Sequence, residues 1–269
     1  MISRCSLFWL LLVLTPLVLA ACSSTSDSLG RIHPGRTLML TVLEMDRADE
    51  LRYTTSDLRK WRMQPTKEGL ELLLMRFKVE NHTAVKAVFV ADRQAAILRD
   101  FFRNEYRPFR VADTVYLDRR GQAEVTVTLE GGKCMDHPRV IVNAGTNVQW
   151  TNSGDTGSAI QFGPGALPEL GAGPVQIEPG ALVSHRFGQP GTFDYQCSAG
   201  DEPPQPAQVL VEDSGSVRGG RDKIILFLEN TFELPMGTGV EGWMIFEVPI
   251  DTKIRDLRWR AGDSITIRF

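Results

Sequence analysis

The sequence predicts an all-β protein of two β-sandwiches, one of them a Greek-key domain inserted into a loop of the other. From Arg36 onward the apolar segments are short, rich in Val, Ile, Leu and Phe, and bounded by Gly, Pro, Asn or Asp. Turn signals recur about every ten residues, which is typical of antiparallel sandwiches. The composition, 42% hydrophobic and 23% charged with a net charge of −3, is that of a soluble globular protein and suggests no nucleic-acid partner.

Three groups of segments carry the strand pattern, and helix is expected only as short turns at residues 57–63 and 101–106. The predicted strands are residues 36–45, 70–81, 85–91 and 95–100; then 123–129, 139–145, 147–152, 182–187, 192–197 and 207–213; then 222–230, 242–249, 257–260 and 264–269.

The first and third groups each have too few strands to close a sandwich alone. The sequence therefore predicts one sandwich from residues 36–118 plus 219–269, with residues 122–213 inserted into it. The joins, LDRRGQ and DSGSVRGGR, are polar and contain Gly, as linkers do. Insertion is tolerated where the entering and leaving ends of a loop lie close together. Three small units in a row are the alternative.

The first residues are typical of an export signal. Arg4 gives a basic start, and the apolar run 7–19 is shorter than the about 20 residues of a membrane-spanning helix. Leu19-Ala20-Ala21-Cys22 resembles the lipobox of bacterial lipoproteins. The resemblance implies that residues 1–21 are a signal peptide and that Cys22 is a lipid anchor carrying chains such as palmitate. An ordinary signal peptide with a chance cysteine is the alternative.

Residues 22–35 are small and polar at first and predict a tether to the membrane. Ser23 and Ser24 follow the lipobox without an aspartate, which favours the outer membrane, facing the periplasm, within the bacterial cell envelope. The membrane is thus the first expected partner, through the N-terminal lipid.

The cysteine count leaves two thiols in the exported fold. Cys5 leaves with the signal and Cys22 carries lipid, so Cys134 and Cys197 remain. Two thiols in an oxidising compartment most often form a disulfide. An unusual metal site of Cys134, His137 and Cys197, or two free thiols, are the alternatives.

Two segments of the outer sandwich resemble a known family. LMRFKVEN at 74–81 and VEGWMIFEVPIDTKIRDLRWRAGDSITIRF at 240–269 are similar to the small immunoglobulin-like domain of bacterial lipoproteins and secreted antigens. The resemblance implies a fold and an extracytoplasmic location, and no reaction.

The inserted segment resembles the cupredoxins of the plastocyanin and pseudoazurin type over residues 123–212. The likeness is carried by RVIVNAGTNVQWTNSGDTG from Arg139 and by VQIEPGALVSHRFGQPGTFDYQC from Val175. Alternating apolar residues such as Val148 and Trp150 predict strands that bury one face, and aromatic residues such as Tyr195 fill the core.

The copper ligands that this resemblance implies are missing. Blue copper needs one thiolate, two imidazoles and a weak axial ligand. The likeness places the first histidine at Ser158 and the second at Gly200, and only Gln205 falls near the axial position. Asp201 and Glu202 are hard oxygen donors and poor substitutes. We therefore expect no metal and no cofactor.

The chain has only four histidines that could replace the missing ligands, and three of them lie in unsuitable places. His33 lies in the tether and His82 in a turn of the outer sandwich. His185 alternates with Val183 and Phe187, so packing in the sandwich is favoured for it. His137, three residues after Cys134, is the one that could join a metal site.

The cupredoxin resemblance also implies that Cys134 lies beside the copper loop, close enough to Cys197 for a disulfide. The bond would close a loop of about 64 residues, worth on the order of 4 kcal/mol in the chain-entropy model. Once oxidised, Cys197 cannot supply the thiolate that copper requires.

No catalytic motif stands out, so we expect no enzyme. The sequence favours a membrane-anchored protein that acts in binding or envelope structure, with a protein partner. The Gly/Pro-rich loop 161–174 contains three apolar residues, Phe162, Leu167 and Leu170. They form either an exposed apolar patch that could contact this partner or a segment that folds back on the sandwich. A copper-binding electron-transfer or copper-delivery protein is the alternative function.

Overall fold

The structure, a computed structural model, describes residues 28–55, 57–109, 115–135, 137–164, 167, 173–199, 203–213 and 223–269. The predicted signal peptide, Cys22, the loop positions 200–202, Leu170 and most of the second join lie outside these residues. The described part of the chain is all β and has no helix, as predicted. It therefore contains no helix that could cross a membrane.

The strands are short and joined mainly by tight turns. Their bounds are β1 Ile32–Pro34, β2 Leu38–Ala48, β3 Leu51–Thr54, β4 Lys60–Met63, β5 Leu70–Asn81, β6 Lys86–Ala91, β7 Ala96–Asp100, β8 Glu105–Tyr106, β9 Val115–Asp118, β10 Glu124–Glu130, β11 Lys133–Cys134, β12 Arg139–Asn143, β13 Asn147–Asn152, β14 Ser158–Phe162, β15 Val175–Ile177, β16 Leu182–Arg186, β17 Gly191–Ser198, β18 Gln205–Glu212, β19 Lys223–Ile224, β20 Asn230–Pro235, β21 Gly239–Pro249, β22 Ile254–Trp259 and β23 Ile265–Arg268.

Strands from both ends of the chain share one core, here called the outer core. The sheet β1-β2-β5-β21 contributes to it together with the sheet β23-β22-β7-β8 and the pair β20-β6. The side chains of β5 point to its two faces, and the two faces belong to different cores. Met75 and Phe77 lie on the face that belongs to the outer core. Leu72 and Leu74 belong instead to a second core with Met63 and neighbours from β3 and β21, here called the junction core.

The central sandwich is formed by β10–β18. Its two faces are the sheet β11-β10-β13-β16 and the strands β15-β14-β17-β18-β12. Trp150 is fully buried, with its ring centroid 5.6 Å from that of Tyr195 and 5.5 Å from that of Phe162. Edge-to-face contacts of this kind add to the burial of the aromatic area.

One sheet of nine strands runs through both parts, in the order β15-β14-β17-β18-β12-β9-β4-β3-β19. The link is a parallel pairing of β9 with β12, with Leu117 opposite Val140. The first predicted join is therefore partly strand, because Leu117 and Asp118 belong to β9. The division into 36–118 plus 219–269 and 122–213 stays a prediction.

Both predictions of helical turns were wrong. Residues 60–63 form β4, entered by a turn in which Leu58 has φ of 63° and Thr55 N–H donates to the Arg59 carbonyl. Residues 101–104 make the turn between β7 and β8. Each segment is too short to form four-residue helical hydrogen bonds without tertiary support, and each gains more from pairing with an adjacent strand.

The predicted tether was too long at its C-terminal end. Residues 32–34 form β1 and pair with β2, with His33 opposite Leu40. The segment thus adds an edge strand to the outer sandwich. The earlier part of the tether lies outside the described residues.

Candidate functional site

The loop end of the central sandwich, where the sequence places the copper ligands, contains a disulfide. Cys197 lies near the end of β17 and Cys134 at the end of β11, with their Cα atoms 6.3 Å apart. Their sulfur atoms are bonded, so the predicted pairing is present. The bond closes a sequence separation of 63 residues.

A glycine turn brings Cys134 to this position. Gly131 and Gly132 join β10 to β11, and Gly132 has φ of 74°. A Cβ on Gly132 would lie 2.7 Å from the Ser198 carbonyl carbon and overlap the Ala199 backbone. The absence of a side chain therefore lets β11 approach the end of β17. Cys134 N–H then donates to Gln205 Oε1 at 2.9 Å.

The disulfide lies in an apolar and aromatic environment. Cys134 and Cys197 are 4% and 0% exposed, and the Tyr195 hydroxyl lies 3.6 Å from Cys134 Sγ. Tyr195 is buried, and burial raises its pKa to about 12. The site therefore excludes water and holds its phenol neutral at physiological pH.

Ser158, where the resemblance predicts the first histidine, is buried. It begins β14, two residues before Ile160, which pairs with Cys197. Its hydroxyl has no hydrogen-bond partner among the described atoms. A neutral hydroxyl is a weak ligand for copper, so this position supplies none of the strong donors that a mononuclear centre requires.

The donors at this end do not fit mononuclear copper. The Cys197 sulfur is bonded to Cys134, Ser158 offers only a hydroxyl, and the Gln205 amide oxygen accepts from a backbone N–H. Position 200 lies outside the described residues. Among the residues that are described, no three His, Cys, Asp or Glu side chains form a group that could hold a metal ion.

His137 packs away from the two cysteines. Its ring contacts Trp61 edge to face at 4.9 Å, and its Nδ1 lies 3.1 Å from the Arg139 amide nitrogen. Burial lowers the pKa of His137 below the ordinary histidine value. This neutral imidazole supports the junction between β4 and β12.

The remaining histidines also have packing roles. His185 contacts Phe187 at 4.7 Å between ring centroids, in the packed position that its alternation predicted. His82 lies in the turn after β5, with Nε2 3.4 Å from the Gly35 carbonyl. His33 lies in β1.

Of the two alternatives for the Gly/Pro-rich loop, the structure confirms folding back on the sandwich at two of the three apolar residues. Phe162 and Leu167 are 8% and 5% exposed and belong to the core of the central sandwich. The loop therefore folds back at these positions, and Leu170 lies outside the described residues.

Sequence reasoning missed a cluster of charges where β4, β9 and β18 meet. Arg62 pairs with Glu50 and Glu212, and Arg120 pairs with Asp118 and Glu212. Both arginine side chains are 5% exposed. Burial alone would raise the pKa of Asp118, but hydrogen bonds from Arg120 outweigh it and hold that pKa below its ordinary value. Glu212 is about 90 residues or more from both arginines, so no local pattern indicates that the three belong to one cluster.

A cavity of about 410 Å³ opens in the outer sandwich. Its apolar lining includes Trp243, Ile245 and Phe109, and its charged lining is Asp92, Arg93 and Glu229. This combination suits an apolar group with a polar edge.

No protein-family model matches the chain, and no curated protein matches it. Similar solved structures include the reduced state of an amicyanin variant, at 20% identity over 47% of this chain and 99% of that one, with a TM-score of 0.28. An oxidised amicyanin variant is 22% identical over 44% and 99%, also with a TM-score of 0.28. A purple cupredoxin from Nitrosopumilus maritimus is 17% identical over 34% and 100%, with a TM-score of 0.26. Likenesses of this size indicate neither a ligand nor an activity.

Proposed function

We propose that the chain is a lipid-anchored protein of the bacterial cell envelope whose central sandwich is a metal-free, cupredoxin-like module with a role in binding or structure. The Cys134–Cys197 disulfide is the observation that supports this proposal most. It removes the thiolate on which a blue copper centre depends. We propose no catalytic role for the module.

The anchor and the location are further parts of the proposal. Cys22 carries the lipid, the mature chain faces the periplasm, and the outer membrane holds it. The lipobox at 19–22 and the serines after it support this assignment. The immunoglobulin-like motifs of the outer sandwich, at 74–81 and 240–269, are in keeping with an extracytoplasmic location.

A protein of the envelope is the proposed partner. The cavity beside Trp243 and Phe109 offers an apolar lining together with the charged residues Asp92, Arg93 and Glu229. Such a cavity can accept an apolar side chain next to a polar one. Substituting Phe109 with Ala should weaken capture of a partner cross-linked in intact cells, while Val85→Ala, at an exposed position outside the cavity, should leave capture unchanged.

Copper reconstitution tests the metal-free assignment. The full-length protein, purified unreduced, is equilibrated with Cu(II) and desalted, and its metal content and visible absorption are measured. We expect no more copper than in a Cys197→Ser control and no intense band in the visible region. One copper per chain with a thiolate charge-transfer band, lost in the control, would establish the copper-binding alternative.

A further inference from the structure

The turn between β7 and β8 presents two phenylalanines to solvent. Phe101 is 61% and Phe102 is 87% exposed. Asp100 holds the turn from below, since its carboxylate accepts from Asn104 N–H at 2.9 Å and from the Tyr106 hydroxyl at 3.0 Å. The phenylalanines therefore project from a well-braced turn. Leaving such side chains in water forgoes the stabilisation that their burial would give.

A third exposed apolar side chain lies at the same end of the outer sandwich, on a neighbouring turn. Asp100, the last residue of β7, pairs with Ile254, the first residue of β22. The turn before β22 therefore lies beside the Phe101–Phe102 turn, and it carries Ile250, which is 53% exposed. This end, defined by Phe101, Phe102 and Ile250, is here called the apolar end.

Cationic side chains lie on the adjoining face of the same sheet. A groove across β7, β22 and β23 is lined by Arg99, Arg255, Asp256, Arg258, Thr266 and Arg268. Four arginines and one aspartate leave a formal charge of +3 there. Guanidinium groups in this setting suit phosphate oxygens, which they bind through paired hydrogen bonds.

The path of the chain leads from this end toward the proposed anchor. β1 is antiparallel to β2, so the first residue of β1 lies toward the end of the sandwich at which β2 finishes. This is the end at which β21 finishes and Ile250 follows it. Ser28 bonds to the Arg268 carbonyl, and Arg268 pairs with Asp256, two residues from the start of β22. Five residues separate Cys22 from Ser28, so the six Cα steps span at most about 20 Å.

We propose that the apolar end docks on the phospholipid bilayer that holds the lipid of Cys22, with Phe101, Phe102 and Ile250 entering the boundary between head groups and acyl chains. The inference rests on the lipid anchor of the proposed function. Aromatic and aliphatic side chains partition into this boundary, and arginines beside it pair with lipid phosphates. Docking fixes the orientation of the protein and directs the opposite end of the outer sandwich away from the membrane.

Tryptophan quenching tests the contact with a matched control. Full-length Phe102→Trp and Val85→Trp are reconstituted into phosphatidylethanolamine–phosphatidylglycerol vesicles whose acyl chains carry bromine. Val85 is 86% exposed, and it precedes β6 at the opposite end, where Asn81 pairs with Leu38. Both variants keep the same native tryptophans as background.

We expect bromine to quench the added fluorescence of Phe102→Trp at least about twofold more than that of Val85→Trp, because quenching requires near contact with the acyl chains. Equal quenching of the two variants would overturn the docking inference. Both substitutions are at exposed positions, and unchanged circular dichroism verifies folding.

Flotation of the same vesicles separates the two proposals. Protein that floats, while Cys22→Ser does not, supports the anchor, and quenching then decides the docking alone. Wild-type protein that stays at the bottom of the gradient would contradict both the anchor and the docking that depends on it.

Discussion

Gly132 shows how a single residue determines the geometry of the disulfide end. Its φ of 74° lies in the left-handed region, and a Cβ there would meet the Ala199 backbone. Gly180 has nearly the same φ, 75°, but no atom within 4 Å of where its Cβ would lie. An alanine at either position would have the same unfavourable backbone conformation. Only at Gly132 would its Cβ also overlap neighbouring atoms.

We therefore expect Gly132→Ala to destabilise the protein more than Gly180→Ala. The left-handed conformation should cost each variant about 1–2 kcal/mol, and the overlap should add at least as much again for Gly132→Ala. Urea unfolding measures both values. Equal unfolding free energies would show that β11 moves freely away from β17.

The disulfide end shows which part of the site the sequence could predict. The count of two cysteines after the N-terminal segment was sufficient to predict the cysteine pairing, which is present, whereas the missing imidazole at Ser158 stays a prediction. The burial of Phe162 and Leu167 was not predictable, because an apolar loop residue faces either solvent or core with the same local pattern. Only the packing of β14 against β17 decides between them.

At the scale of elements, strands with strict alternation were predicted well. β5 begins and ends at the predicted residues, and β10 and β13 agree within one residue. Strands β3, β9, β14 and β15 were missed because each has five residues or fewer and depends on pairing with other strands, as β9 does with β12. The wrong helix at 57–63 has the same origin, since β4 is stabilised by pairing with β3 and β9.

The charge cluster between β4, β9 and β18 should contribute to stability more than charges at the surface. Arg62→Met leaves the half-buried Glu50 and Glu212 with fewer partners and should cost about 3 kcal/mol. Arg76→Met removes pairs with Glu44 and Glu241, also two carboxylates, but exposed, and should cost about 1 kcal/mol or less. Chemical unfolding of both variants compares the costs, and an equal cost would contradict a buried role for Arg62.

The same cluster predicts a dependence of stability on pH. The pKa of Asp118 is lower in the folded state than in the unfolded state, so its contribution is fully present above the ordinary aspartate pKa and is lost as the pH falls from there through the lower folded pKa. We expect the unfolding free energy to decline from about pH 4 downward, and Asp118→Asn to make that decline shallower. An identical decline in the variant would mean that other carboxylates account for it.

At the scale of the whole molecule, the nine-stranded sheet couples the two parts of the chain. β9 pairs with β12. Trp61 packs against both the core of the central sandwich and the junction core. We expect a single cooperative thermal transition, because neither part can unfold without exposing the junction. Two separate calorimetric transitions would show that the two parts are independent.

The bond between Cys134 and Cys197, which leaves neither sulfur as a thiolate for a metal, is the feature on which the proposed function depends most. Mass spectrometry tests it on protein taken from the cell envelope, alkylated without reduction and digested. We expect one cross-linked peptide pair that contains Cys134 and Cys197 and that separates on reduction. Recovery of both cysteines in alkylated form, on two unlinked peptides, would contradict the account.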